Sequence, residues 1–216
     1  MKELIGQSVT VFLALFAVMN PIANAAVFVG LTGDCDQASR KRIALKSIIT
    51  AFCIILFFCV LGKAIFELFG ITLPAFRITG GVLIFIVGYH MLQGKQSNMH
   101  HPEQASAGQD LVGAKSAQPP DVAISPLAIP ILAGPGTIAT AMNYSATGSH
   151  VQSAVTVAAF FVLCIITYPV FLSGEKLIRV LGHSGIDVVT RLMGLILAVV
   201  GTQMLIQGIH GAIKIF

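Results

Sequence analysis

Two short runs carry the residues best suited to hold a small solute, Asn20-Pro21-x-x-Asn24 and Gly134-Pro135-Gly136-Thr137. Proline has no N–H and its ring collides with the carbonyl of the preceding turn, so each of these prolines ends one helix and starts another. Asn20 is placed to cap the helix that restarts at Pro21, and Asn24, four residues on, shares its face. A helix start presents free N–H groups and the positive end of a dipole, which suits an anion such as a carboxylate. Arg77 and Arg191 add positive charge, each near the start of an apolar stretch. There an arginine either attracts or gates an anion, or anchors at the interface and bonds the free carbonyls of a broken helix. The plainer reading of the prolines is a pair of kinks that only shape a bundle.

The elements that must position these residues follow from composition. Of 216 residues, 56% are hydrophobic and only 10% are charged, with a net charge of +4. The mean hydropathy is +0.88. Too few polar side chains remain to cover a globule, and the chain is too apolar to be disordered. A spanning helix takes about 20 apolar residues, so six would use about 120. Six apolar segments are present, at 4–31, 44–62, 71–92, 123–147, 151–173 and 186–209. The first could pass for a signal peptide, with Lys2, an apolar run and Ala23-Asn24-Ala25, but its apolar character continues through Val27 to Leu31. The fold expected is all-α, a polytopic membrane protein of six transmembrane helices.

Charge between the segments sets the orientation. Eight cations fall on one side: Arg40, Lys41, Arg42, Lys46, Lys95, Lys115, Lys176 and Arg179. Lys2, Lys63 and Lys214 fall on the other. The richer side faces the cytoplasm, which leaves both termini periplasmic. Residues 93–122 are polar and end in Gln118-Pro119-Pro120, and read as a flexible cytoplasmic linker between two halves, 1–92 and 123–216. Within the linker, Met99-His100-His101 reads as solvated polar residues, not as a metal site.

The halves repeat at an offset of 114 residues: Pro21 falls on Pro135, Arg77 on Arg191, Gly80 on Gly194, and Gln93-Gly94 on Gln207-Gly208. A one-residue shift also brings Gly88, Met91 and Leu92 onto Gly201, Met204 and Leu205. Three spans per half is an odd number, so the second half enters from the opposite side. The expected architecture is two inverted three-helix repeats with helices one and four broken, a plan common among secondary transporters and also used by channels. The two breaks would then converge near the midplane, where irregular backbone survives only inside protein or against water.

Several functions are excluded or disfavoured. None of the nine acids lies deep in a span, since Glu67, Glu175 and Asp187 sit near interfaces, so a carboxylate proton relay is disfavoured. No Walker motif, HExxH or Ser–His arrangement appears, so the chain reads as neither an ATP-driven pump nor an enzyme. The four cysteines have no metal-ligand spacing, and no basic run suits nucleic acid. Neither a cofactor nor a metal is expected.

Taken together, several motifs resemble those of the MarC family of integral membrane proteins. They are Asn20-Pro21-x-x-Asn24 with Phe28-Val29-Gly30-Leu31-Thr32, Phe69-Gly70-Ile71 with Phe76-Arg77-Ile78-x-Gly80-Gly81, Pro130-x-x-x-Gly134-Pro135-Gly136, and Thr190-Arg191-x-Met193-Gly194. The resemblance covers nearly the whole chain and implies a six-span protein of the bacterial inner membrane. It also implies kinship with transporters of small neutral amino acids and with exporters of the lysine-exporter type. The multiple-antibiotic-resistance label of the family does not define an activity. Where members usually carry Gly after Asn-Pro, this chain has Ile22-Ala23, which reshapes any pocket there. The expected function is secondary transport or export of a small solute, such as a neutral amino acid, by alternating access. The candidate contacts are Asn20, Pro21, Asn24, Gly134, Pro135, Gly136, Thr137, Arg77 and Arg191. A non-transporting scaffold or regulator, or a channel, is the alternative. The expected partners are the lipid bilayer and a small-molecule solute, and the sequence leaves a homo-oligomer open.

Overall fold

A computed structural model describes residues 2–33, 35–94, 123–146 and 150–214. The 93–122 linker, with its histidine pair, lies outside the described residues beyond Gly94. All described elements are helical: α1 (Lys2–Met19), α2 (Pro21–Leu31), α3 (Gln37–Phe69), α4 (Leu73–Leu92), α5 (Ala123–Leu132), α6 (Pro135–Ser145), α7 (His150–Leu172) and α8 (Gly174–Ile213). Among the described residues, five stretches are long and apolar enough to cross a bilayer: Gly6–Leu31, Gln37–Phe69, Leu73–Leu92, His150–Leu172 and Ser184–Ile213. The protein is an integral membrane protein.

The segment 123–147, expected as a broken fourth span, is not among these long helices because it is split at Ala133 and Gly134. The segment is two short pieces, the ten-residue α5 and the eleven-residue α6. The α5 piece is a π-helix, and Ala133 N bonds back five residues to Ala128 O at 2.9 Å. Pro126 and Pro130 offer no N–H to an α-helical or a π-helical ladder, so this piece has fewer backbone donors than its length allows. α3 also runs further than the expected 44–62. Its 33 residues extend about 50 Å, well beyond a 30 Å hydrocarbon core. Four of its charged residues, Arg40, Lys41, Arg42 and Lys46, fall within its first ten residues. The stretch expected as a loop after span five is helical as well. α8 begins at Gly174 and turns at Gly182, whose φ of 65° and ψ of 172° suit only glycine.

α6 is the hub of the bundle. It touches α1, α3, α4 and α7, and most of its residues are buried. One apolar cluster, with Leu15, Phe28, Ile55, Leu132, Phe160 and Phe171, joins α1, α2, α3, α5 and α7. A smaller one, with Ala17, Ile84, Met91, Ala139, Leu197 and Met204, joins α1, α4, α6 and α8.

α4 and α8 lie antiparallel with their backbones in contact. A Cβ built on Gly201 would stand 2.5 Å from Phe85 N and 2.6 Å from Gly81 O. One built on Gly88 would stand 2.6 Å from Ala198 N and from Gly194 O. Small residues permit this approach in a bilayer, where burying apolar surface supplies no drive between helices.

Candidate functional site

The first break is built as its residue types dictate. Asn20 N donates the last bond of α1 to Phe16 O at 2.8 Å. Pro21 cannot continue the ladder, so Asn20 turns left-handed, at φ 40° and ψ 69°. Asparagine tolerates that conformation better than most side chains. Its Oδ1 accepts from Ala23 N at 3.3 Å and caps α2. Asn24 donates through Nδ2 to Met19 O at 2.5 Å, which satisfies a carbonyl left free at the end of α1. Asn24 therefore holds the break together. Asn20 is fully buried, and its Nδ2 has no hydrogen-bond acceptor among the described residues.

The second break has no such cap. Gly134 precedes α6 with extended backbone and no side-chain bond. The two breaks adjoin, since a methyl on Gly136 would lie 3.3 Å from Val18 Cγ1. Pro21, Gly134, Gly136 and Thr137 are buried, and Pro135 is exposed. Thr137, Thr140 and Asn143 continue a buried polar series along α6, with Thr140 Oγ1 bonded to Gly136 O at 2.8 Å.

That series leads to a crevice of about 540 Å³ at one end of the bundle. The starts of α1, α4 and α7 and the ends of α6 and α8 form it, through Gln7, Thr10, Arg77, Asn143, Gln152, Thr156 and Gln207. Arg77 Nε donates to Asn143 Oδ1 at 3.0 Å. The sequence reading found Arg77 and missed the amides. Each had a signal, a lone polar residue inside an apolar stretch, but which face of its helix it occupies depends on the neighbours.

Arg191 is elsewhere. It is exposed near the opposite end of the α4–α8 pair, with Nη2 3.5 Å from where a Cβ on Gly94 would stand. Ile78, next to Arg77, instead packs on Gly208. Roughly 24 Å of helix separates Ile78 from Gly94, so the two arginines do not share a site.

At Arg191's end, Arg40 ties three elements together. Its Nε donates to Thr32 O at 2.9 Å and its Nη2 to Gly33 O at 3.1 Å. Its Nη1 pairs with Glu175 at the start of α8. The hydrogen bond from Arg40, and then its charge, hold the Glu175 carboxyl below the usual carboxylate range. No local sequence signal marks this clamp.

The family model described as MarC family integral membrane protein matches residues 6–213. The chain belongs to the MarC family. Its similarity to other MarC-type proteins runs end to end. It is 41% identical over 212 residues to the UPF0056 membrane protein YvbG of Bacillus subtilis, covering 94% of each chain. It is 36% identical over 215 residues to a UPF0056 membrane protein of Pyrococcus abyssi, covering 100% of each. It is 33% identical over 219 residues to the UPF0056 inner membrane protein MarC of Escherichia coli K12, covering 98% of this chain and 96% of the relative. No solved structure gives a significant match.

Proposed function

We propose that this MarC family protein is a secondary transporter of a small solute, such as a neutral amino acid, that works by alternating access without enzymatic chemistry. The observation that carries the reading is the buried, unpartnered Nδ2 of Asn20 where two helix breaks adjoin. A buried donor without an acceptor costs about 1–3 kcal/mol, and such a cost persists most readily where a ligand can lift it. The Asn20 to Asn24 break and the uncapped Gly134 to Thr137 start would hold the solute, with Arg77 and Arg191 serving opposite faces. An inverted repeat of six spans supports two such states. In its favour, Gly80 lies against Met204 and Gly194 against Met91. Exchanging each residue for its repeat counterpart turns one contact into the other. The inner-membrane wording in the Escherichia coli relative's name supports that location, and the lysine-rich and arginine-rich loops favour periplasmic termini.

Liposomes carrying the purified protein should take up a labelled neutral amino acid, and Asn20→Ala should slow the uptake. Uptake equal to that of empty liposomes across a broad solute panel would sink the reading. A non-transporting scaffold is favoured instead by the close packing around Asn20, Gly136 and Thr137. The same panel separates the two.

A further inference from the structure

We infer that the crevice at the α1–α4–α6–α7–α8 end is a recognition site for a small monocarboxylate, and that a carboxylate is required of its ligand while an ammonium group is not. The inference deepens the transport reading and rests on it for its purpose, as the first stop on the solute's route. The binding itself is measurable without transport.

Charge, geometry and size carry it. Arg77 is the only charged group among the described residues lining the crevice, and none of them is an acid. The guanidinium is held by a side chain 66 positions away, Asn143, which is buried and accepts from Nε alone. That bond does not involve the two terminal nitrogens, which form the fork that pairs with a carboxylate through two parallel hydrogen bonds. Asn143 is thus a positioning residue. The amides of Gln7, Gln152 and Gln207 line the remaining wall. They bring both donors and acceptors for a neutral polar group or for the ammonium of a zwitterion. One cation balances one negative charge. A dianion such as phosphate would keep a charge uncompensated in a part-buried place, and a cationic solute would meet Arg77 with no carboxylate to offset it. The volume of about 540 Å³ is that of a small-molecule pocket.

The test measures binding to the purified full-length protein in detergent, by calorimetry, with three probes of similar size. L-serine carries both a carboxylate and an ammonium, L-lactate only the carboxylate, and ethanolamine only the ammonium. L-serine and L-lactate should bind, and ethanolamine should not. Arg77→Gln should weaken both acids at least ~10-fold, the scale of a lost charged hydrogen bond. Lys63→Gln, which removes an exposed lysine outside the crevice, should leave affinity unchanged. If Arg77→Gln does not fold, Arg77→Lys replaces it: the charge stays, the fork is lost, and affinity should fall ~10-fold. Asn143→Leu should weaken both acids, and Arg77→Lys in that background should add less than it does alone. Acid binding unaffected by either Arg77 variant, ethanolamine binding as well as L-serine, or no acid binding at all would overturn the inference. If the acids do not bind but liposomes still move L-serine, the site fails and the transport reading stands. If Arg77-dependent binding is found without uptake of any solute, the transport reading fails and the site stands.

Discussion

Arg77 and Arg191 stand 114 residues apart, the same offset as Pro21 and Pro135, yet their surroundings differ. Arg77 is half-buried in a crevice and bonded to Asn143 on the central helix α6. Arg191 is exposed beside Gly94, and at its end of the bundle Arg40 joins the end of α2 to the starts of α3 and α8. The position matching Asn143 in the first half is Val29, which offers no acceptor. The two arginines therefore differ in environment, set by what the other helices bring to each. One end of the molecule carries a crevice lined by polar side chains, and the other is held by an ion pair and two carbonyl contacts.

Four measurements would break or sharpen this contrast. The largest effect is expected at the α4–α8 contact that carries both arginines. Gly201→Ala forces a Cβ to within 2.6 Å of backbone, and overpacking of this kind costs about 1–3 kcal/mol, so the thermal midpoint should fall sharply. An unchanged midpoint would mean that the two helices are not in backbone contact. Next, Asn143→Leu leaves the Arg77 guanidinium without its acceptor and should cost about 2 kcal/mol. Arg191→Gln should stay within about 0.5 kcal/mol of wild type. Equal losses from these two variants would erase the difference between the ends.

Between the ends, Asn20→Ala and Asn20→Gly lose the same cap and the same unpaired donor, so the left-handed backbone alone should make Asn20→Gly the more stable by about 1 kcal/mol. Glycine accepts the left-handed backbone without strain, so an Asn20→Gly variant less stable than Asn20→Ala would contradict the observed break. The smallest effect is expected at Glu175. Its carboxyl is held below the usual range by Arg40, so its contribution is present above that range and lost as pH falls through Glu175's own lowered value. Thermal midpoints of wild type and Glu175→Gln should separate toward neutral pH and converge in acid. Parallel curves at every pH would show that the ion pair does not tie that end.

Local chemistry made the breaks legible. Asn before Pro predicts a helix end, a restart and a cap, and all three are found at Asn20. The apolar stretches were legible because a bilayer demands long ones. The break of the fourth at Gly134-Pro135 was legible in the same way as that at Asn20, whereas length and hydropathy do not reveal the π-helix that precedes it. The crevice was legible only through Arg77. Gln7, Asn143, Gln152 and Gln207 each vanish in an apolar window, and only the packing of five helices brings them to one place. The Arg40 to Glu175 pair spans 135 positions, and nothing near either residue announces the other.

The glycine contact between α4 and α8 also sets an order in time. Gly88 and Gly194 meet, yet about a hundred residues separate them along the chain. At about 5–20 residues per second, the ribosome needs roughly 5–20 s to make that stretch. Throughout that interval the glycine seam of α4 has no partner, and it closes only when α8 arrives. This close joint can form only once α8 is made, and a nascent chain halted after α4 holds half of a zipper with nothing to close on.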